Sequence, residues 1–162
     1  MSAAAISIRS VRAEEVELVM QFIRELAEYE RLAHEVIASS DDLRAALFGA
    51  RPYAEAIFGC LDQVPRGFAL YFHSFSTFLG KPGLYLEDLY VQPAARGQGL
   101  GTRMLAWLAQ LALERGCGRF EWAVLDWNEP ALKVYRSLGA RPAQGWIIHR
   151  VSGEALAQLA KK

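Results

Sequence analysis

Apolar and polar positions change period several times along the chain, and each change marks an element. Residues 6–11 alternate, with Ile6 and Ile8 on one side, which predicts a first strand. From 13 to 35 the period lengthens. Val16, Val19, Met20, Ile23, Leu26 and Ala27 recur at steps of three and four, the stripe of an amphipathic helix. Glu14 and Glu15 sit in its first turn, where the helix dipole favours acid. The next position on that stripe is Glu30, a carboxylate where the pattern asks for an apolar group. A frayed helix end in water and a pocket-edge carboxylate awaiting a cation both account for it. Ser39-Ser40-Asp41 predicts the cap of a shorter helix through Phe48, ended by Gly49. Residues 53–61 and 67–75 predict a hairpin joined through 62–66, which contains Pro65. Lys81-Pro82-Gly83 predicts the next turn.

The densest apolar run, residues 84–91, is interrupted only by Glu87 and Asp88, and Pro93 ends it. Arg96-Gly97-Gln98-Gly99-Leu100-Gly101 then runs directly into a helix over 97–115, with Met104, Leu105, Leu108, Leu111 and Ala112 inward and Gly116 as its stop. Residues 118–125 read as a buried central strand, apolar on both faces apart from Glu121. Asn128 caps and Pro130 opens a helix over 131–138, with Val134, Tyr135 and Leu138 on its inner side and Gly139 at its end. A last strand is predicted over 145–151 and a terminal helix over 152–159. The order is β-α-α-β-β-β-α-β-α-β. It predicts one mixed, three-layer α/β domain spanning 1–162, with a helix-linked parallel pair of strands at its centre. The strand feeding the glycine-rich turn is expected to bulge or splay near 87–89, away from 120–125, so that a ligand can enter.

Composition narrows the function without naming it. A chain of 162 residues, 52% apolar and 22% charged, folds around one core. Its formal charge is zero, from 18 basic and 18 acidic residues, so neither nucleic acid nor a membrane surface is an expected partner. No apolar run is long enough to span a bilayer. The start, MSAAAISIRS, lacks the basic and apolar regions of a signal peptide, and the expected location is the cytoplasm. Cys60 and Cys117 show no paired spacing and read as reduced structural thiols. His34, His73 and His149 lack metal-ligand spacing, and no metal site is expected.

The chemistry concentrates at the glycine-rich turn. Three glycines at alternate positions let backbone N–H groups approach an anion, at a helix end that carries unpaired donors and a positive dipole. Arg96 adds a planar, permanently charged fork. Two common phosphate loops do not apply. The dinucleotide fingerprint needs glycine where Thr102 stands, and no Gly-Lys-Ser/Thr occurs for a P-loop.

Arg/Gln-x-x-Gly-x-Gly/Ala between a strand and a helix resembles the acyl-CoA pyrophosphate loop of the GCN5-related N-acetyltransferases (GNAT). The resemblance covers essentially the whole chain and is strongest with the diamine branch, the spermidine/spermine N1-acetyltransferases and their thialysine-acetylating relatives. It is carried by residues 24–30 (RELAEYE), 85–91 (YLEDLYV), 96–101 (RGQGLG), 127–130 (WNEP) and 135–140 (YRSLGA), and by Gly145-Trp146. It implies acetyl-CoA as co-substrate, a small-molecule amine as acceptor and a homodimer. Leu89, Tyr90 and Val91 would pair their backbone with the pantetheine arm. Arg96, Gly97, Gln98, Gly99, Leu100, Gly101 and Thr102 would hold the pyrophosphate. Asn128, Glu129, Pro130 and Ala131 would contact the cofactor on its far side. Tyr135 would be the general acid, and Tyr29, Glu30 and Glu87 would face the amine.

Those residue types suit the reaction. An alkyl ammonium, with a pKa of roughly 10, must lose a proton before it attacks a thioester, and Glu87 can attract the cation and carry the proton off. The departing thiolate, with a pKa of about 8.5, can take a proton from a phenol near 10, which suits Tyr135. Glu87 and Asp88 are adjacent and would point to opposite faces of a regular strand, which assigns Glu87 to the amine and Asp88 to a structural acceptor role. The chain departs from the polyamine enzymes at residues 74–78, which include Ser76 but no carboxylate, and at Gln144, which replaces an acid before Gly145-Trp146. Two fewer acids suit a shorter acceptor, thialysine-like, at least as well as spermidine. Acetylation of a protein lysine or N-terminus is the alternative within the family, although Phe72, Phe75 and Phe78 suggest apolar walls around a narrow mouth. A non-catalytic acyl-CoA-binding module is the alternative outside it.

Overall fold

Five strands in the order β1-β2-β3-β4-β5 form one mixed sheet: β1 (Ile6–Ser10), β2 (Glu55–Leu61), β3 (Val64–Ser76), β4 (Lys81–Val91) and β5 (Arg119–Trp122). This computed structural model describes residues 4–162; residues 1–3, the first part of the start segment considered above, lie outside the described residues. The first four strands pair antiparallel with their sequence neighbours, and β5 runs parallel to β4. The chain divides into two compact units, one ending at Ala123 and one running Val124–Lys162. No helix among the described residues is long and apolar enough to cross a membrane.

Helices cover both faces of the sheet in the first unit. A short 3₁₀ turn leads into α1 (Val16–Tyr29), whose Phe22 ring lies 6.0 Å from the rings of Phe58, Phe68 and Tyr90. Phe22 thus takes the central place that the periodicity gave to Ile23, which is only half-buried. On the other face lies α3 (Leu100–Glu114), with Leu100, Met104, Leu105, Leu108 and Ala112 buried. Gly59 on β2 admits it: a Cβ there would stand 2.5 Å from Met104 Sδ. The three layers follow the expected architecture, but the helix-linked parallel pair lies at the side of the five-stranded sheet, with β5 outermost and none of its residues buried, rather than at its centre. Cys60, buried beside this core, is a free thiol that desolvation pushes up from its ordinary pKa.

Several boundaries differ from the sequence reading. Helix α1 stops at Tyr29 rather than near 35, because Arg31 adopts φ +62 and the Leu32 N–H turns back to Ala27 O at 2.8 Å. The second helix, α2 (Ser40–Phe48), starts as expected, with the Asp42 N–H donating to Ser39 Oγ and the Ser39 N–H to Asp42 Oδ2. The β2–β3 turn is two residues, Asp62 and Gln63, both at positive φ, and Pro65 lies inside β3. Lys81-Pro82-Gly83 begins β4; the turn before it is Thr77 to Gly80.

The second unit holds α4 (Glu129–Ser137) and α5 (Gly153–Leu159). The strand expected over 145–151 is absent: among the described residues that stretch pairs with no ladder, and a strand needs one. Strand β5 is likewise shorter than the expected 118–125.

Candidate active site

The strand pair that feeds the glycine-rich turn comes apart where the ligand is expected. Pairing of β4 with β5 covers Gly83 to Leu86 against Arg119 to Trp122 and then ends. Beyond Leu86 the β5-facing edge of β4 has no ladder partner among the described residues, which leaves the backbone of Leu89 and Tyr90 beside an open edge. The Val91 carbonyl already accepts from Arg96 Nε at 2.9 Å.

After β4, a 3₁₀ turn (Pro93–Ala95) delivers the chain to Arg96. Gly97 and Gly99 take φ +76 and +83, and a Cβ on either would project into open space. Gly99 is the N-cap of α3 and supplies no side-chain acceptor. The first backbone bond into the helix is Arg103 N–H to Gly99 O at 2.9 Å. Among the described residues, the amides of Gly97, Gln98, Gly99, Leu100, Gly101 and Thr102 have no acceptor. Six consecutive N–H groups at the positive end of a fifteen-residue helix can receive an anion, and their chemistry fits the diphosphate of the acyl-CoA that the resemblance implies.

The expected bulge is present, and it lies toward β3. Leu70 pairs with Asp88 and Tyr71 with Leu86, so Glu87 is the extra residue without a partner. Glu87 is exposed, and Asp88 is half-buried. Burial first, then the charges of Glu87 and Glu30, push the Asp88 carboxyl up to about 7. Burial also raises Glu30, the C-cap of α1. Two carboxylates, one on the same strand and one at the end of α1, therefore act on Asp88. Among the described residues none of the three accepts a hydrogen bond or pairs with a cation. Asp88 is thus not the structural acceptor expected from a regular strand. It is the member of the group that the sequence reading missed, because the bulge breaks the alternation used to exclude it.

Tyr29 ends α1, next to Glu30, and the Arg96 guanidinium carbon lies 4.9 Å from its ring centroid. Arg96 also lies 5.8 Å from the ring of Tyr90, whose hydroxyl donates to Glu25 Oε2 at 2.9 Å. Phe72 stacks 5.1 Å from Tyr85, but Phe75 and Phe78 are 62% and 93% exposed at the β3–β4 tip and wall no mouth.

In the second unit, Asn128 caps α4 by accepting from the Ala131 N–H at 3.4 Å, with Glu129 and Pro130 in the first turn. Glu129 is ion-paired with Arg136. Tyr135 lies in the last turn of the same helix, and Gly139 follows at φ +85.

Fold and site together are those of an acyl-CoA-dependent transferase, and comparison with known proteins agrees. Residues 19–140 match the acetyltransferase (GNAT) family. The chain is 40% identical to the thialysine N-epsilon-acetyltransferase of Mus musculus over 97% of its own length and 98% of that protein's. It is 27% identical to the L-ornithine N5-acetyltransferase NATA1 of Arabidopsis thaliana, over 95% and 87% of the two chains. An integron cassette protein from V. cholerae superposes with a TM-score of 0.79 at 30% identity, covering 97% and 98%. The chain belongs to the GNAT acetyltransferase family. It is an acetyl-CoA-dependent N-acetyltransferase, and full-length similarity at this level supports acetyl transfer to an amine of a small molecule.

Proposed function

We propose that this enzyme acetylates a primary amine of a small diamine, polyamine or thialysine-like amino acid by direct attack within a ternary complex. One observation carries the acceptor class. Glu87 and Glu30 raise the proton affinity of Asp88, burial raises that of Glu30, and among the described residues the three have no cation of their own. A protonated amine entering there relieves their repulsion and binds by it. The relatives point the same way, since thialysine and ornithine each present one side-chain amine. Ser76 and Gln144, where the polyamine enzymes carry acids, favour such an acceptor over spermidine.

The roles follow from chemistry. Acetyl-CoA, the family's co-substrate, supplies an activated thioester when bound. Glu87, in the bulge, attracts the ammonium and draws off its proton. Asp88, titrating near 7, holds that proton at working pH. Tyr29 and Glu30 close the acceptor side. Arg96 to Thr102 hold the diphosphate, Leu89 to Val91 line the pantetheine, and Asn128 to Ala131 meet the cofactor's far side. Tyr135 gives a proton to the departing thiolate. No metal is needed. The family match crosses the boundary at Ala123, which supports one domain built from both units. A cytoplasmic homodimer free of nucleic acid and membrane completes the proposal, on the zero net charge and the resemblance.

The test is thiol release from acetyl-CoA with thialysine, ornithine, lysine, spermidine and a lysine-containing peptide side by side. Higher kcat/KM for the single-amine acids supports the reading. Turnover confined to the peptide overturns the small-molecule class, and a clear preference for spermidine overturns the short-acceptor argument.

A further inference from the structure

We propose that Arg96 is a positioning residue that couples occupancy of the glycine-rich loop to the acceptor wall, through the cation–π contact of its guanidinium with Tyr29. The inference rests on the reading of residues 96–102 as the diphosphate loop and adds a mechanical link between the two substrates.

Three partners divide the guanidinium among them. Nε donates to Val91 O at 2.9 Å, so one edge is tied to the end of β4. The central carbon stands over two rings, 4.9 Å from the Tyr29 centroid and 5.8 Å from that of Tyr90. Among the described residues the terminal nitrogens have no acceptor, and the side chain is exposed. The five donors of a guanidinium lie in its plane. An anion on the loop can therefore bond the terminal nitrogens while the central carbon keeps its place over the rings. The ring contact and anion binding use different parts of one rigid group, and fixing one fixes the other.

The two rings differ in exposure. Tyr90 is 5% exposed and anchored through its hydroxyl to Glu25. Tyr29 is 38% exposed at the last position of α1. A restraint added to Arg96 bears on Tyr29, the more exposed of the two rings and the one at the end of α1. The next residue, Glu30, is one of the two carboxylates that act on Asp88, and Arg31 follows at φ +62. A loaded loop thus steadies the helix end that carries an acceptor carboxylate. Coupling of this kind is reciprocal: if the loop steadies Tyr29, then Tyr29 must strengthen binding at the loop.

Coenzyme A affinity, measured by calorimetry with no amine present, reads that reciprocity. Tyr29→Phe keeps the ring and is expected to match wild type within two-fold. Tyr29→Leu is expected to weaken binding by about two- to five-fold, the scale of one partly exposed cation–π contact. In an Arg96→Lys background, where the flat face is gone, Tyr29→Leu is expected to change nothing further. Equal affinity for Tyr29→Leu and wild type, or additive losses in the double variant, overturns the coupling. Should Tyr29→Leu fail to fold, Arg96→Lys decides alone. At saturating acetyl-CoA it is expected to raise KM for thialysine by more than it lowers kcat, and a defect confined to KM for acetyl-CoA overturns the proposal. Unchanged coenzyme A binding by Gly99→Glu removes the loop assignment and the coupling with it. Loop binding indifferent to Tyr29 removes the coupling alone.

Discussion

The Tyr90 hydroxyl donates to Glu25 Oε2 at 2.9 Å, across from the strand that feeds the glycine-rich turn to the helix that ends at Tyr29. Burial, then the bond to Glu25, pushes the Tyr90 phenol up to about 12, so it stays a donor at any working pH. Gln92 Nε2 reaches the same carboxylate at 3.3 Å. Tyr90→Phe keeps the ring against Phe22 and removes only the tie. The expected loss is about 1–3 kcal/mol, read as a lower urea midpoint at unchanged m-value.

Asp88 predicts a pH dependence of stability with a definite sign. Its carboxyl titrates near 3.8 in the unfolded chain and near 7 in the folded one. Between those values the folded state keeps a proton that the unfolded state has lost. Stability therefore falls as pH rises through that window and levels above it. Asp88→Asn cannot ionise. Its advantage over wild type in urea midpoint is expected to grow from pH 4 to 7, reaching on the order of a few kcal/mol at most. A constant gap across that range would remove the buried, like-charged carboxyl from the account.

Gly99 combines a positive φ, open space and the N-cap of α3. Gly99→Glu places a bulky anion within the run of six amides that have no acceptor among the described residues. Coenzyme A affinity is expected to fall at least about ten-fold, or ~1.4 kcal/mol, while the circular dichroism spectrum is retained. Calorimetry checks it.

Tyr135→Phe separates chemistry from binding. If the phenol protonates the departing thiolate, kcat drops by about 10²-fold or more, in the range of general-acid effects, and coenzyme A affinity stays within two-fold. Steady-state kinetics with a binding isotherm gives both numbers, and unchanged kcat would take Tyr135 out of the mechanism.

What could be read from the chain depended on whether local chemistry decided the outcome. Gly97 and Gly99 announced a tight turn whose amides an anion can approach, and the structure places both at positive φ, which glycine adopts without strain. Ser39 and Asn128 announced helix starts because their side chains cap the amides two or three residues on. Arg31, Asp62 and Gln63 adopt positive φ without being glycine, so the end of α1 and the tight β2–β3 turn carried no such mark. Strand partners are a non-local matter. Residues 145–151 have the composition of a strand and no ladder. Glu87 was placed correctly at an irregularity, but only the register against β3 shows that it is the extra residue and that Asp88 is not held to the opposite face.

The early end of the β4–β5 ladder has a consequence for how such an enzyme can change its diet. An unpaired strand edge accepts a guest through main-chain groups, whatever side chains surround it. Under the proposed assignment, recognition of the donor is written largely in backbone and glycine, which drift in sequence leaves alone, and choice of acceptor in a handful of replaceable carboxylates and the end of one helix. New amines can be adopted by exchanging those few side chains, with no need to relearn the acyl carrier.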